Sequence, residues 1–339
     1  MKKIQAYLSF VYIFFSFLFF KLFNRNIVHT HLFFVRLHCF TNGKATDFFS
    51  KIISKLKKKI KLEQLPTVNL IHFLKEEEVN NFTIKIDKES YAIYPYKLGL
   101  EIIDNLYRFS LDNSTSEISN NIRQDKIINY QNKSRYSERL NFFQSDLIKN
   151  NYIQDLICDS TILSICQNYL NTSPVFAEVN MWWSIANKNK PSIEGAQLYH
   201  FDLDATKWLK IFIYLTDVDI NSGPHCYVEG THKYHNQSRD LLSRGYVRIE
   251  DDDILKKYSM DKCKNIIGSR GTIIFGDTRA FHKGLKPYDR DRLVLELTYL
   301  NSNFAYNGCN VKLSNLDLKS AHLKEYISKT SIFKNIEII

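Results

Sequence analysis

Apolar positions along the chain change rhythm near residue 63 and again near 173. Ile4 to Phe20 is a continuous apolar run of 17 residues without a charge, preceded by Lys2 and Lys3 and followed by Lys21 and Arg25. That is the lower limit for a helix crossing the hydrocarbon core of a bilayer. A charged start and an apolar stretch also suit a signal peptide, but no small-residue cleavage motif follows. The remaining alternative is a buried helix. Phe48 to Leu62 has apolar residues at 49, 52, 53, 56 and 60 with lysines between them. This spacing predicts a basic amphipathic helix, suited to an anionic membrane surface or to a solvated lysine face. Leu98 to Ser110 and Ile153 to Leu170 repeat with helical period, and the polar stretch Asp112 to Lys133 reads as an exposed loop.

After Ser173 the pattern becomes short runs rich in β-branched and aromatic residues: Val175–Ile185, Gln197–Phe201, Leu209–Leu215, Thr272–Phe275 and Leu293–Tyr299. Turn signals separate them at Asn221–Pro224, Glu229–Gly230, Ser269–Gly271 and Gly276–Asp277. Helices followed by many short strands predict a mainly β fold, an antiparallel sandwich or barrel with a helical flank. The expected organisation is a hydrophobic and basic segment over 1–62, a mainly helical flank over 63–172, a β core over 173–305 and a helical tail over 306–339.

Composition sharpens this in two places. The net charge of +10 over 339 residues lies wholly in Met1–Glu63, which holds 12 Lys or Arg and two acids; the remainder carries 34 of each sign. The main domain thus has no basic excess with which to neutralise phosphates, which argues against a nucleic-acid partner. Six cysteines occur without any C-x-x-C spacing, as expected of free thiols in a reducing compartment.

The chemistry concentrates in QLYHFDLD. His200 and Asp202 are two apart, so on an extended strand both side chains leave one face. A third ligand must come from elsewhere, and His282, just past TIIF, is the best candidate. Two His and one carboxylate on one side of an ion leave the other side open, the facial triad of non-haem Fe(II) oxygenases. Ten residues on, Arg292 opens the strand LVLELTY, where a buried guanidinium needs a carboxylate. Glu296 is the only acid on that strand, and a dicarboxylate on the metal is the other possible partner. His225 and His232 read as hydrogen-bonded histidines, and Asp204 as too far along to be a ligand. Either Lys210 or Tyr214 on the next strand could line the cavity, and only one of Trp182 and Trp183 could reach it.

The stretch HFDLDATKWLKIFIYLTDVDINSGPHCYVEGTHK, with S-G-P-H at Ser222–His225 and G-T-H-K at Gly230–Lys233, resembles the phytanoyl-CoA dioxygenase family of 2-oxoglutarate oxygenases. GDTRAFHKGLKPYDRDRLVLELTY is similar to the family's second block, and the resemblance covers roughly residues 174–301. It implies a double-stranded β-helix, or cupin-like jelly roll. His200, Asp202 and His282 would then hold Fe(II), and Arg292 would hold the far carboxylate of 2-oxoglutarate. It also implies a small-molecule or lipid-like substrate, O2 as co-substrate, and succinate and CO2 as products. Related halogenating enzymes replace the carboxylate ligand with a small residue; Asp202 is retained, so hydroxylation is expected. The rival is a non-enzymatic metal-binding jelly roll, in which Arg292 would have no role beside the ion. Residues 4–23 suggest a membrane-associated protein with a cytoplasmic catalytic domain, a purely cytoplasmic one being the alternative.

Overall fold

The structure is a computed structural model describing residues 2–339. Thirteen strands are present among these residues: β1 (Tyr91–Ile93), β2 (Thr115–Ser119), β3 (Ile122–Ile128), β4 (Ser137–Phe142), β5 (Val175–Ser184), β6 (Trp208–Tyr214), β7 (His225–Val228), β8 (Cys263–Ile266), β9 (Ile273–Gly276), β10 (His282–Gly284), β11 (Arg292–Leu300), β12 (Val311–Leu313) and β13 (Ile336–Ile338). Eight form an antiparallel sheet in the order β1-β9-β6-β11-β5-β4-β2-β3. A smaller sheet, β10-β7-β8, faces it and is extended by bridges joining His200 to His282 and Tyr199 to Ile249. Two facing antiparallel sheets with a helical flank are the jelly roll expected from the sequence.

The period-2 alternation of the central strands decides what each face of the large sheet does. Leu209, Ile211 and Ile213 on β6, Leu293, Leu295 and Leu297 on β11, and Val179, Met181 and Trp183 on β5 all enter one core. Helices labelled here in chain order as α1 (Lys2–Phe23), α2 (Thr30–Thr41), α3 (Lys44–Leu56), α4 (Glu76–Glu89) and α5 (Leu100–Asp112) make up much of the flank. Val79, Phe82 and Ile86 of α4 and Ile102, Ile103 and Leu106 of α5 cover this outer face. Burying each such side chain contributes about 1.5–3 kcal/mol. The alternate residues, among them Lys210, Phe212, Glu296, Asn180 and Trp182, point inward between the sheets and line a cavity.

Several elements differ from expectation. Asp112 to Lys133 is not a loop: it carries the β2–β3 hairpin, which with β4 widens the large sheet, so the 63–172 flank is not purely helical. Ser116 pairs with Asn141 and Ile118 with Arg139, which makes this ribbon a cavity wall. The periodic run Ile153–Leu170 is two helices, because Asp159 breaks it and caps the second by accepting from the Thr161 and Ile162 amides. The tail holds the β12–β13 parallel pair besides the helix Ala321–Lys329.

The N-terminal segment also docks on the body. Ile13 and Phe17 of α1, Phe34 and Leu37 of α2 and Phe49 and Ile53 of α3 bury against Phe304 and Ala305. The apolar stripe of α3 is thus spent on the core rather than left free for a membrane, although Phe48 and Leu56 stay exposed. Asp47 of α3 pairs with Arg279 at 3.1 Å, and Arg279 pairs with the fully buried Asp277 at 2.6 Å. These contacts fix the turn that leads into β10.

Candidate metal centre

His200, Asp202 and His282 converge. Their ligand atoms lie within 4.8 Å of one another, with Nε2 of His200 3.8 Å and Nε2 of His282 3.6 Å from the Asp202 carboxylate oxygens. The His200 segment is extended without being a regular strand. Reciprocal backbone bonds tie it down: the His200 amide donates to the His282 carbonyl at 2.9 Å, the His282 amide to the His200 carbonyl at 2.8 Å, and the Asp202 amide to the Thr278 carbonyl at 2.8 Å. The two-residue spacing still puts His200 and Asp202 on one side, as period 2 requires.

The tautomers follow from the hydrogen bonds. Nδ1 of His200 faces the Leu198 carbonyl at 2.9 Å, and Nδ1 of His282 faces the Ala280 carbonyl at 3.0 Å. A carbonyl only accepts, so each Nδ1 carries the proton and each Nε2 offers a lone pair toward Asp202. Burial lowers the pKa of both imidazoles, with Asp202 acting the other way, so both are neutral. Burial alone would protonate Asp202, but the Lys210 ammonium outweighs it and keeps the carboxylate ionised. Two neutral imidazoles and a carboxylate, with orienting bonds behind each ring, are the donor set a divalent transition metal takes.

Of Lys210 and Tyr214, Lys210 lines the cavity, beside Phe212 of the same strand. Its ammonium stands 3.0 Å from Asp202, 3.1 Å from Asp204 and 3.8 Å from Glu296. Asp204 therefore belongs to the shell behind the ligands, as its distance along the chain suggested. Burial pushes Asp204 up to about 6 and Glu178 up to about 7, with Lys210 opposing in each case. His225 lines the same cavity, but its Nδ1 meets the Tyr214 hydroxyl at 3.3 Å and its ring packs 4.3 Å from Phe212. His232 bonds to Ser90 at 2.9 Å, outside the triad. Trp182 faces the cavity, while Trp183 stacks on Tyr130 in the outer core.

Arg292 lies across the cavity floor, 2% exposed. Its partner is not Glu296, which accepts from Asn180 at 3.1 Å and faces Lys210. Nη2 of Arg292 donates to Ser184 Oγ at 3.2 Å, and its Nε and Nη1 meet no acceptor among the described residues. Burial accordingly lowers the pKa of this guanidinium. A buried, fixed cation with two open donors fits a carboxylate supplied from outside the chain. The turn before His225 is set by Gly223, at φ 73°, where a Cβ would lie 2.2 Å from the Leu285 carbonyl oxygen.

No family model matches the chain, and no curated protein matches it. Solved structures do. SnoN, a non-haem alpha-ketoglutarate-dependent epimerase from nogalamycin biosynthesis, aligns over 67% of this chain and 84% of its own at 13% identity, TM-score 0.50. The two proteins share a fold. HygX from Streptomyces hygroscopicus, solved with nickel and 2-oxoglutarate, aligns over 74% and 94% at 15% identity, TM-score 0.47. EctD from S. alaskensis with bound Fe aligns over 72% and 82% at 12% identity, TM-score 0.46.

Sequence reasoning missed Arg139, Asn180 and Glu178 as cavity residues, and no local motif marks them. It also missed how the N-terminal helices back the site. His38 of α2 stacks at 5.6 Å on Phe201, the residue between two triad members, and bonds through Nδ1 to Thr46 at 2.8 Å. Burial, aided by Arg279, holds His38 at a pKa of about 3, and burial holds His232 at about 4. In the unfolded chain each gains a proton near pH 6.5. Below that pH the unfolded state binds more protons, so stability falls as pH drops from 6.5 toward the folded values. The slope is up to about 1.4 kcal/mol per pH unit for each histidine. Asp204 and Glu178, raised by burial, act in the opposite sense over the same range, so the comparison with a variant isolates the histidine. As pH drops from 6.5 to 5 the urea midpoint of the wild type is expected to fall relative to that of His38→Phe. An identical pH dependence of the two midpoints would contradict the burial assignment of His38.

Proposed function

We propose that the protein is an Fe(II)- and 2-oxoglutarate-dependent dioxygenase of the phytanoyl-CoA dioxygenase type, acting on a small polar molecule. The observation that carries the reading is the pairing, in one cavity, of two neutral histidines and an ionised aspartate with a buried arginine that lacks a carboxylate. A metal-binding module without catalysis would need the first and not the second. The fold shared with SnoN supports the same class of reaction.

When bound, ferrous iron with 2-oxoglutarate and O2 supplies the oxidation of a substrate C–H bond, with release of succinate and CO2. The chain's residues do the rest. His200 and His282 donate through Nε2, each held by a backbone carbonyl at Nδ1. Asp202 donates from a carboxylate that Lys210 keeps ionised. Arg292 grips and orients the far carboxylate of 2-oxoglutarate through its open Nε and Nη1. Phe212, Trp182 and His225 wall the cavity and limit water around the reacting groups. The cavity is about 730 Å³ and has acids and arginines on its walls, which favours a polar substrate over an acyl chain. Retention of the Asp ligand supports hydroxylation as the outcome.

The test is succinate. With Fe(II), 2-oxoglutarate, O2 and fractionated cell extract, the wild-type protein is expected to form succinate above a metal-free control. Succinate formation unaffected by omission of Fe(II) would refute the assignment.

The reading extends to location. α1 buries Ile13 and Phe17 while Phe15, Leu22 and Phe23 on its other side are each at least 60% exposed, with exposed Lys21, Lys51 and Lys55 nearby in the helical segment. Such a surface suits a helix lying in the plane of an anionic, cytoplasm-facing leaflet. Co-sedimentation with phosphatidylserine-containing vesicles is expected, weakened by salt and lost in Leu22→Glu/Phe23→Glu. Equal sedimentation of that variant would contradict in-plane binding.

A further inference from the structure

Arg292 is not the only cavity arginine without an acid. The register aligns Arg123 of β3 with Ile118 of β2, Ile118 with Arg139 of β4, Arg139 with Ser184 of β5, and Ser184 with Arg292 of β11. One row of the large sheet thus carries three arginines to the cavity, and Arg248 reaches it from the loop after the helix Arg239–Leu242. Among the described residues, neither Arg123, Arg139 nor Arg248 has a carboxylate within 4.0 Å.

Arg139 is the best fixed of these. Its guanidinium lies 4.1 Å over the Trp182 ring, and its Nε donates to Asn141 Oδ1 at 2.7 Å. Both Nη groups are left without a protein acceptor among the described residues. The bond from Arg139 fixes the Asn141 amide so that Nδ2 points away, and that Nδ2 is buried without a partner. Gln144 Nε2, also on this wall, is buried and unpartnered as well. The wall therefore presents several donors around a planar cation stacked on Trp182, with Glu296 acting on that cation from beyond ion-pair distance.

We propose that Arg139, with Asn141 and support from Arg123 and Arg248, forms an oxyanion subsite distinct from Arg292. It takes a carboxylate or phosphate of the primary substrate, so the substrate is an anionic polar molecule. Neighbouring strands lie about 4.8 Å apart, and Arg139 and Arg292 are two strands from each other. Their guanidinium groups are held by different partners, Trp182 and Asn141 for Arg139 and Ser184 for Arg292. This inference rests on the reading above only in giving Arg292 to 2-oxoglutarate.

The test uses the full chain with Mn(II) and saturating 2-oxoglutarate, titrated calorimetrically with sulfate, as a tetrahedral oxyanion, and with acetate, as a carboxylate. At least one is expected to bind with one site per chain. Arg139→Gln, and separately Asn141→Asp, should weaken that binding at least about tenfold while changing 2-oxoglutarate affinity less than about twofold. Arg292→Gln should do the reverse when the oxyanion is titrated alone. If 2-oxoglutarate fails to bind while oxyanion binding still depends on Arg139, the subsite stands and the dioxygenase reading falls. Absence of binding by both probes, or wild-type binding by both wall variants, overturns the subsite.

Discussion

His282→Ala is expected to lower Fe(II) affinity by at least about 100-fold and to reduce succinate formation to the metal-free background. Loss of an orienting partner behind a ligand typically costs 10–100-fold, and removing the ligand itself costs more. His282 contributes the only donor that comes from β10, so nothing nearby can replace it. His225 is the closest other imidazole in the cavity, but it is turned toward Tyr214 and Phe212. His200→Ala should behave alike. Asp202→Asn separates charge from shape: it keeps the volume and a hydrogen-bond acceptor but removes the anion, leaving Lys210 with Asp204 and Glu296. Its iron affinity should fall comparably. His225→Ala is the control, expected to bind one iron per chain. Anaerobic titration with a ferrous chelator as competitor measures all four. If His282→Ala retained wild-type affinity, the ligand set would be wrong.

Arg292→Met is expected to raise the KM for 2-oxoglutarate by about two orders of magnitude and leave iron affinity within a few-fold of wild type. Losing a charge-assisted pair in a buried site costs about 2–5 kcal/mol, which sets the scale. The same change should not destabilise the protein without ligand. In that state Arg292 is a desolvated cation whose Nε and Nη1 are unmet, and whose one side-chain hydrogen-bond partner is Ser184, among the described residues. Replacing such a charge with an apolar chain of similar size is neutral or stabilising, by up to a few kcal/mol. Opposite movement of stability and co-substrate affinity distinguishes a residue kept for binding from a structural one. Parallel loss of both would assign Arg292 to the fold.

These two predictions draw on residues that the sequence made visible, and the reason is locality. His200 and Asp202 are two apart, His282 follows an apolar strand, and Arg292 begins the next. Each position can be argued from its own neighbours. The strands β5, β6, β9 and β11 were visible for the same reason, since buried strands of a jelly roll are dense in Val, Ile, Leu and aromatics. The β2–β3 hairpin was not. Its polar, Asn- and Ser-rich ribbon lies at the sheet edge, where solvent satisfies one face and no apolar run is needed.

Arg139 shows the deeper limit. Nothing around it in the sequence says that it shares a row with Arg292, because that row is set by two long-range pairings, Arg139 of β4 with Ser184 of β5 and Ser184 with Arg292 of β11. The partner of Arg292 was open for a related reason: Glu296 sits on the same strand face, and only the position of Lys210 on β6 shows where that carboxylate is engaged. The N-terminal helices look separable in the sequence because their composition is extreme. Their attachment depends on Phe304, a single aromatic near the far end of the chain, which rings from α1, α2 and α3 surround.

The most direct test of the central claim is a crystal structure of the protein grown anaerobically with Fe(II) and 2-oxoglutarate. We expect one metal on Nε2 of His200, Nε2 of His282 and the Asp202 carboxylate, with the far carboxylate of 2-oxoglutarate on Arg292. A metal bound elsewhere, or 2-oxoglutarate bound away from Arg292, would contradict the account.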